Sequence, residues 1–179
     1  MAGFALNKWI RPSLEGTVAR LAALGLGPTA LLVASLVIGL TALPSVATGR
    51  FRLGLTLILL SRAVAAIGGT NAGAREARLG AAFELIFVAS IPFAFALNDP
   101  TCALAASLLL FGLIVAGAAS QFANVDHPFA ASDVALCVAA YAISCLRPQW
   151  FALIAYILAV FCFIAAGARI ALAFSRSDA

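Results

Sequence analysis

Glu84 and three arginines hold the chemistry that stands out in this sequence. Glu84 lies inside an apolar run, and Arg62, Arg75 and Arg78 precede it within SRAVAAIGGTNAGAREARLGAAFE, residues 61–84. A carboxylate within hydrocarbon costs roughly 3 kcal/mol on insertion scales, so it persists where it has a partner or a task. Glu84 therefore reads as a metal ligand or general base, as the ion-pair partner of Arg62, Arg75 or Arg78, or as a protonated acid. The forked guanidinium groups match the oxygens of a phosphate. They match equally well the snorkelling role of arginine at a headgroup layer.

Other reactive residues carry weaker signals. Cys102, Cys137, Cys145 and Cys162 have no C-x-x-C spacing and fall in or beside apolar runs, which fits packing thiols. His127 stands apart from all four, so no zinc set is legible. Asp126, His127 and Asp133 are what a short polar loop and the start of a helix supply by default. Arg169, near the end of the last apolar run, is a candidate phosphate contact or a partner for Glu84.

The elements that position these residues are membrane spans. The 179 residues are 64% hydrophobic and 10% charged, with a mean hydropathy of +1.11, well outside the composition of a soluble domain. About six spans fit this length, because each needs roughly 20 apolar residues. They are predicted near 29–47, 51–67, 77–97, 101–122, 131–146 and 151–174, in a single domain covering 1–179. Ahead of them, 4–24 reads as an amphipathic helix lying in the interface: Ile10, Leu14, Val18 and Leu21 share one face, and Lys8, Arg11 and Glu15 the other. Charges spread through its length argue against a cleavable signal peptide. The fold class is thus all-α, an integral membrane protein of six transmembrane helices preceded by an interfacial helix.

Topology follows from the basic residues. With the N-terminus inside, Lys8, Arg11, Arg20, Arg62, Arg75, Arg78, Arg169 and Arg176 gather on the cytoplasmic side, and Arg50, Arg52 and Arg147 fall outside. Both termini are then cytoplasmic, in a multi-pass protein of the plasma (inner) membrane. The net charge of +4 is scattered rather than gathered into an aromatic-interleaved patch, so nucleic acid is not an expected partner. Membrane lipids are, and small residues along the spans suit close helix packing, a homodimer included. No internal repeat of the kind transporters carry is visible.

Several segments together resemble the CDP-alcohol phosphatidyltransferases. They are Arg11-Pro12, Leu24-Gly25-Leu26-Gly27-Pro28-Thr29, Gly49-Arg50-Phe51-Arg52-Leu53-Gly54-Leu55, Leu59-Leu60-Ser61-Arg62, the run IPFAFALNDP and the closing GARIALAF. The resemblance implies six helices around a cavity open to the cytoplasm, and transfer of a substituted phosphate from a CDP-linked donor such as CDP-diacylglycerol to an alcohol, a step of phospholipid biosynthesis. It also implies Mg²⁺ or Mn²⁺, held in that family by the acids of D-x-x-D-G-x-x-A-R followed by G-x-x-x-D-x-x-x-D.

This chain departs from that signature. With Ser61-Arg62 aligned to the residues before the motif, the first two aspartates fall on Ala65 and Gly68, the glycine on Gly69, and the A-R pair on Ala72-Gly73. The second half admits two registers: Glu84 is the third acid with Val88 as the fourth, or Gly80 is the third with Glu84 as the fourth. Either way one carboxylate remains, too few for two hard cations. A single ion delivered with the donor phosphates is the arrangement it allows. The resemblance thus implies Glu84 as the catalytic and metal-binding residue, and Gly69, Arg62, Arg75 and Arg78 as substrate-binding. A non-catalytic lipid-binding or membrane-complex protein on the same fold is the alternative.

Overall fold

The computed structural model describes residues 27–69, 73–122 and 131–177. The interfacial helix expected at 4–24, the turn at 70–72, and Asp126 and His127 lie outside the described residues. Six long helices follow one another: α1 (Pro28–Ala47), α2 (Phe51–Gly69), α3 (Ala74–Asn98), α4 (Ala103–Phe122), α5 (Ala131–Leu146) and α6 (Phe151–Ser177). Single 3-10 turns, Pro100–Cys102 and Pro148–Trp150, lead into α4 and α6. Proline opens each of these turns and also opens α1, where its missing N–H removes a donor the helix would not have used. The chain is an all-α membrane protein. Five helices are long and apolar enough to cross a bilayer, while α5, with 16 residues, is about 24 Å long and shorter than the hydrocarbon layer.

The largest boundary differences from the hydropathy reading are in α3 and α6. α3 starts at Ala74 rather than near 77, and α6 runs on to Ser177 rather than ending near 174. In α3 the added residues are Ala74, Arg75 and Glu76, two of them charged but all good helix formers, and hydropathy does not weigh propensity. Glu76 sits in the first turn with a carboxylate oxygen folded back over Gly73, where the helix N-terminus favours an anion.

Packing divides the bundle. α1 lies along α2 and α3, and α4 lies along α6. The α1–α2 approach is close enough that a Cβ on Gly68 would stand 3.1 Å from the Leu31 Cβ. On Gly112 of α4 it would stand 3.1 Å from the Cys162 Cβ of α6. Small residues permit such approaches where lipid removes the hydrophobic drive between helices. Between the two pairs, Phe87, Ile91, Leu109, Leu113 and Tyr141 form a buried core.

Pro92 shows how α3 tolerates a helix breaker. Proline has no N–H to offer the carbonyl four residues earlier, which is that of Val88. The buried Tyr141 hydroxyl of α5 donates to that oxygen at 2.8 Å. A carbonyl freed inside a membrane thus gains a partner from a neighbouring helix, and α5 is tied to α3 in the process.

Candidate functional site

The charged site starts at Ser61, on the buried face of α2. Its hydroxyl donates to the Ser35 carbonyl of α1 at 2.7 Å and locks the two helices in register. The next residue, Arg62, therefore points from a fixed stretch of backbone toward α3. Its Nη1 lies 2.5 Å from Glu84 Oε1, and its Nη2 donates to the Ser61 hydroxyl at 3.3 Å. The guanidinium carbon also stands 4.3 Å from the centre of the Phe87 ring, one turn of α3 beyond Glu84. Phe87 in turn rests against Gly39 of α1, where a Cβ would approach Phe87 Cδ2 to 2.5 Å and the Ser61 hydroxyl to 2.9 Å. Three helices thus hold one ion pair.

Neither partner faces water freely. The side chains of Arg62 and Glu84 are 16% and 27% exposed, and among the described residues Arg62 Nε and Glu84 Oε2 are buried without a hydrogen-bond partner. Both residues line a cleft of about 530 Å³ between α2, α3 and α5, whose other walls include Leu59, Ala65, Ala66, Val134 and Val138. The cleft is apolar apart from the pair. Ala65, aligned above with the first aspartate of the signature the sequence resembles, contributes a methyl group. Gly68, aligned above with the second, faces Leu31 and the Pro28 carbonyl across a gap with no space for a carboxylate.

The structure separates the other sequence candidates. Arg75 and Arg78 are exposed on the first turns of α3 and do not line the cleft. Gly69 ends α2 in the open, with nothing within 4 Å of where its Cβ would lie. Of the four arginines offered as partners for Glu84, namely Arg62, Arg75, Arg78 and Arg169, the structure selects Arg62. Arg169 goes elsewhere: its Nη1 donates to the Ser120 hydroxyl at 2.7 Å and to the Ala116 carbonyl at 3.3 Å, tying α6 to α4. Sequence reasoning did not find Ser35, Gly39, Ser61 or Phe87 as parts of this arrangement. The i, i+3 spacing of Glu84 and Phe87 was the available signal.

The donor set does not fit a pair of divalent ions. Each would take about six oxygens, most from carboxylates, carbonyls and phosphates. The cleft offers one carboxylate, with one of its oxygens already on Arg62. Among the described residues no three His, Cys, Asp or Glu side chains come together. What the cleft offers instead is a guanidinium paired with a single carboxylate, at the edge of hydrophobic walls.

No family model and no solved structure matches this chain. A curated protein does: it is 30% identical to the Inner membrane protein YnjF of Escherichia coli (strain K12) over 188 residues, which span 92% of this chain and 91% of that one. The likeness runs through nearly the whole length of both. This multi-pass helical membrane protein therefore belongs to the same family as the Inner membrane protein YnjF.

Proposed function

We propose that this chain is a divergent relative of the CDP-alcohol phosphatidyltransferases, seated in the inner membrane with both termini cytoplasmic. On this reading it binds a phosphate-bearing lipid in the cleft between α2, α3 and α5 and does not run the family's two-metal transfer. One observation carries the proposal: the retained acid, Glu84, is the ion-pair partner of Arg62 rather than a free ligand. Ala65 and Gly68 support it, because no second carboxylate enters at the aligned positions. Arg62 supports the binding half, since it sets a guanidinium in the lining of a cleft whose apolar walls an acyl chain would follow.

The test uses purified full-length protein with CDP-diacylglycerol, several alcohols, and Mg²⁺ or Mn²⁺. The expected result is no metal-dependent release of CMP, together with a phospholipid that stays bound in native mass spectrometry. Arg62→Lys keeps the charge beside Glu84 but loses the planar fork, and is expected to retain less of that lipid. Metal-dependent CMP release abolished by Glu84→Gln would make the chain an active transferase. Absence of any retained lipid would remove the binding half.

A further inference from the structure

The opposite end of the bundle gathers the α1–α2, α3–α4 and α5–α6 connections, and its charges are arranged differently. Arg50, Arg52 and Arg147 are all exposed there, and none has a carboxylate partner among the described residues. The described acid at that end, Asp99, is already engaged: Oδ1 accepts from the Thr101 amide at 3.0 Å and the Thr101 hydroxyl at 2.7 Å, and Oδ2 lies 3.7 Å from the Cys102 sulfur. The positive charge of this end is therefore not neutralised within the described protein.

Two of those arginines line a cavity. Gly49, Arg50, Phe51, Arg52 and Leu53 form one wall, and Cys145, Leu146 and Pro148 at the end of α5 form the other, around about 530 Å³. The arginine wall is rigid. Gly49 takes a φ of 75°, a conformation other residues rarely adopt, and lets the chain turn from α1 into α2 within three residues. The Arg50 amide donates to the Ser45 carbonyl at 2.8 Å, which closes the turn onto α1. Phe51 is stacked on Phe95 at 5.8 Å between centroids, and Phe95 on Phe151 at 4.2 Å, so one column of rings braces the starts of α2 and α6 against α3. Exposed Trp150 marks the depth of the headgroup layer on the same side.

We infer that this cavity is a second lipid site, separate from the Arg62–Glu84 cleft, which takes an anionic phospholipid with its phosphate on Arg50 and Arg52 and an acyl chain along Leu53 and Leu146. Charge complementarity selects the headgroup: unpaired guanidinium groups at headgroup depth meet lipid phosphate oxygens in bidentate geometry. The apolar residues between them select a lipid over a free anion. In the N-in orientation the site faces the outer leaflet, where arginines are disfavoured by topology and need another reason to be present.

The experiment reconstitutes the full chain in nanodiscs of phosphatidylcholine with and without phosphatidylglycerol, and counts retained lipids by native mass spectrometry after detergent transfer. Wild type is expected to retain phosphatidylglycerol preferentially. Arg50→Gln/Arg52→Gln is expected to lose that preference by roughly fivefold per arginine, about 25-fold for the pair, with the melting temperature unchanged. The control Arg75→Gln/Arg78→Gln, at the other end, is expected to keep it. Equal loss in both double variants would reduce the effect to bulk surface charge and overturn the site. Retention unchanged in Arg50→Gln/Arg52→Gln would overturn it as well. Inorganic phosphate displacing the lipid at equal concentration would overturn the lipid as occupant. Because Arg62 and Glu84 are untouched throughout, lipid held at their cleft is common to every variant, and only the difference between the variants reports on the second site.

Discussion

The two ends of this bundle handle arginine in opposite ways. At one end Arg62 is largely buried, and the protein supplies it with partners of its own: Glu84, the Ser61 hydroxyl and the Phe87 ring. At the other, Arg50, Arg52 and Arg147 are exposed and the described protein supplies no acid. Burial explains the difference. A charge withdrawn from water needs a partner held in place, whereas a charge at headgroup depth finds lipid phosphate or water. An acid inside a span is consequently weak evidence for chemistry until its neighbours are known, since neutralising an arginine is reason enough to keep it.

The largest effect should come from breaking the buried pair. Glu84→Ala leaves Arg62 unpaired between three helices and should cost about 2–3 kcal/mol of stability, less than a fully buried pair because both side chains keep some exposure. Arg62→Ala/Glu84→Ala should be more stable than Glu84→Ala alone, and unfolding of both variants beside wild type gives the coupling directly. Gly39→Ala acts on the same end through packing. It drives a methyl into Phe87 and should cost about 1–3 kcal/mol while moving the ring off Arg62, which the near-ultraviolet aromatic signal follows.

The smallest effect belongs to the other end. Hydrogen bonds from the Thr101 side chain, then from its backbone, hold the Asp99 carboxyl below its ordinary pKa. The stabilisation they give is therefore complete above the ordinary value and disappears as pH falls through the depressed one. Protection of the Thr101 amide against exchange, taken relative to its intrinsic rate at each pH, should fall as pH drops below the ordinary carboxylate range, and Asp99→Asn should lose that dependence. Phosphatidylglycerol retention should not change with it, because Asp99 is not the partner of the arginines.

Much of the fold is legible in the sequence because hydrophobic runs and proline punctuation are local. All six helices follow from them, with the boundaries of α3 and α6 shifted by polar residues that still favour helix. The site was legible only in part. Residue types named Glu84 and a cluster of arginines, but the choice of Arg62 over Arg75, Arg78 and Arg169 depends on how α2 and α3 are rotated against each other. The Ser61–Ser35 bond and the Gly39–Phe87 contact set that rotation, and each joins residues far apart in the chain. Pro92 could be recognised as a breaker, whereas its compensation by Tyr141 across 53 positions could not.

The most direct measurement is a Mn²⁺ titration of the purified protein followed by electron paramagnetic resonance, for wild type and Glu84→Gln. If Glu84 belongs to Arg62, the two proteins should leave Mn²⁺ equally free, with no stoichiometric site in either. Two ions bound per chain in wild type and released by Glu84→Gln would contradict that assignment and restore the metal-dependent chemistry.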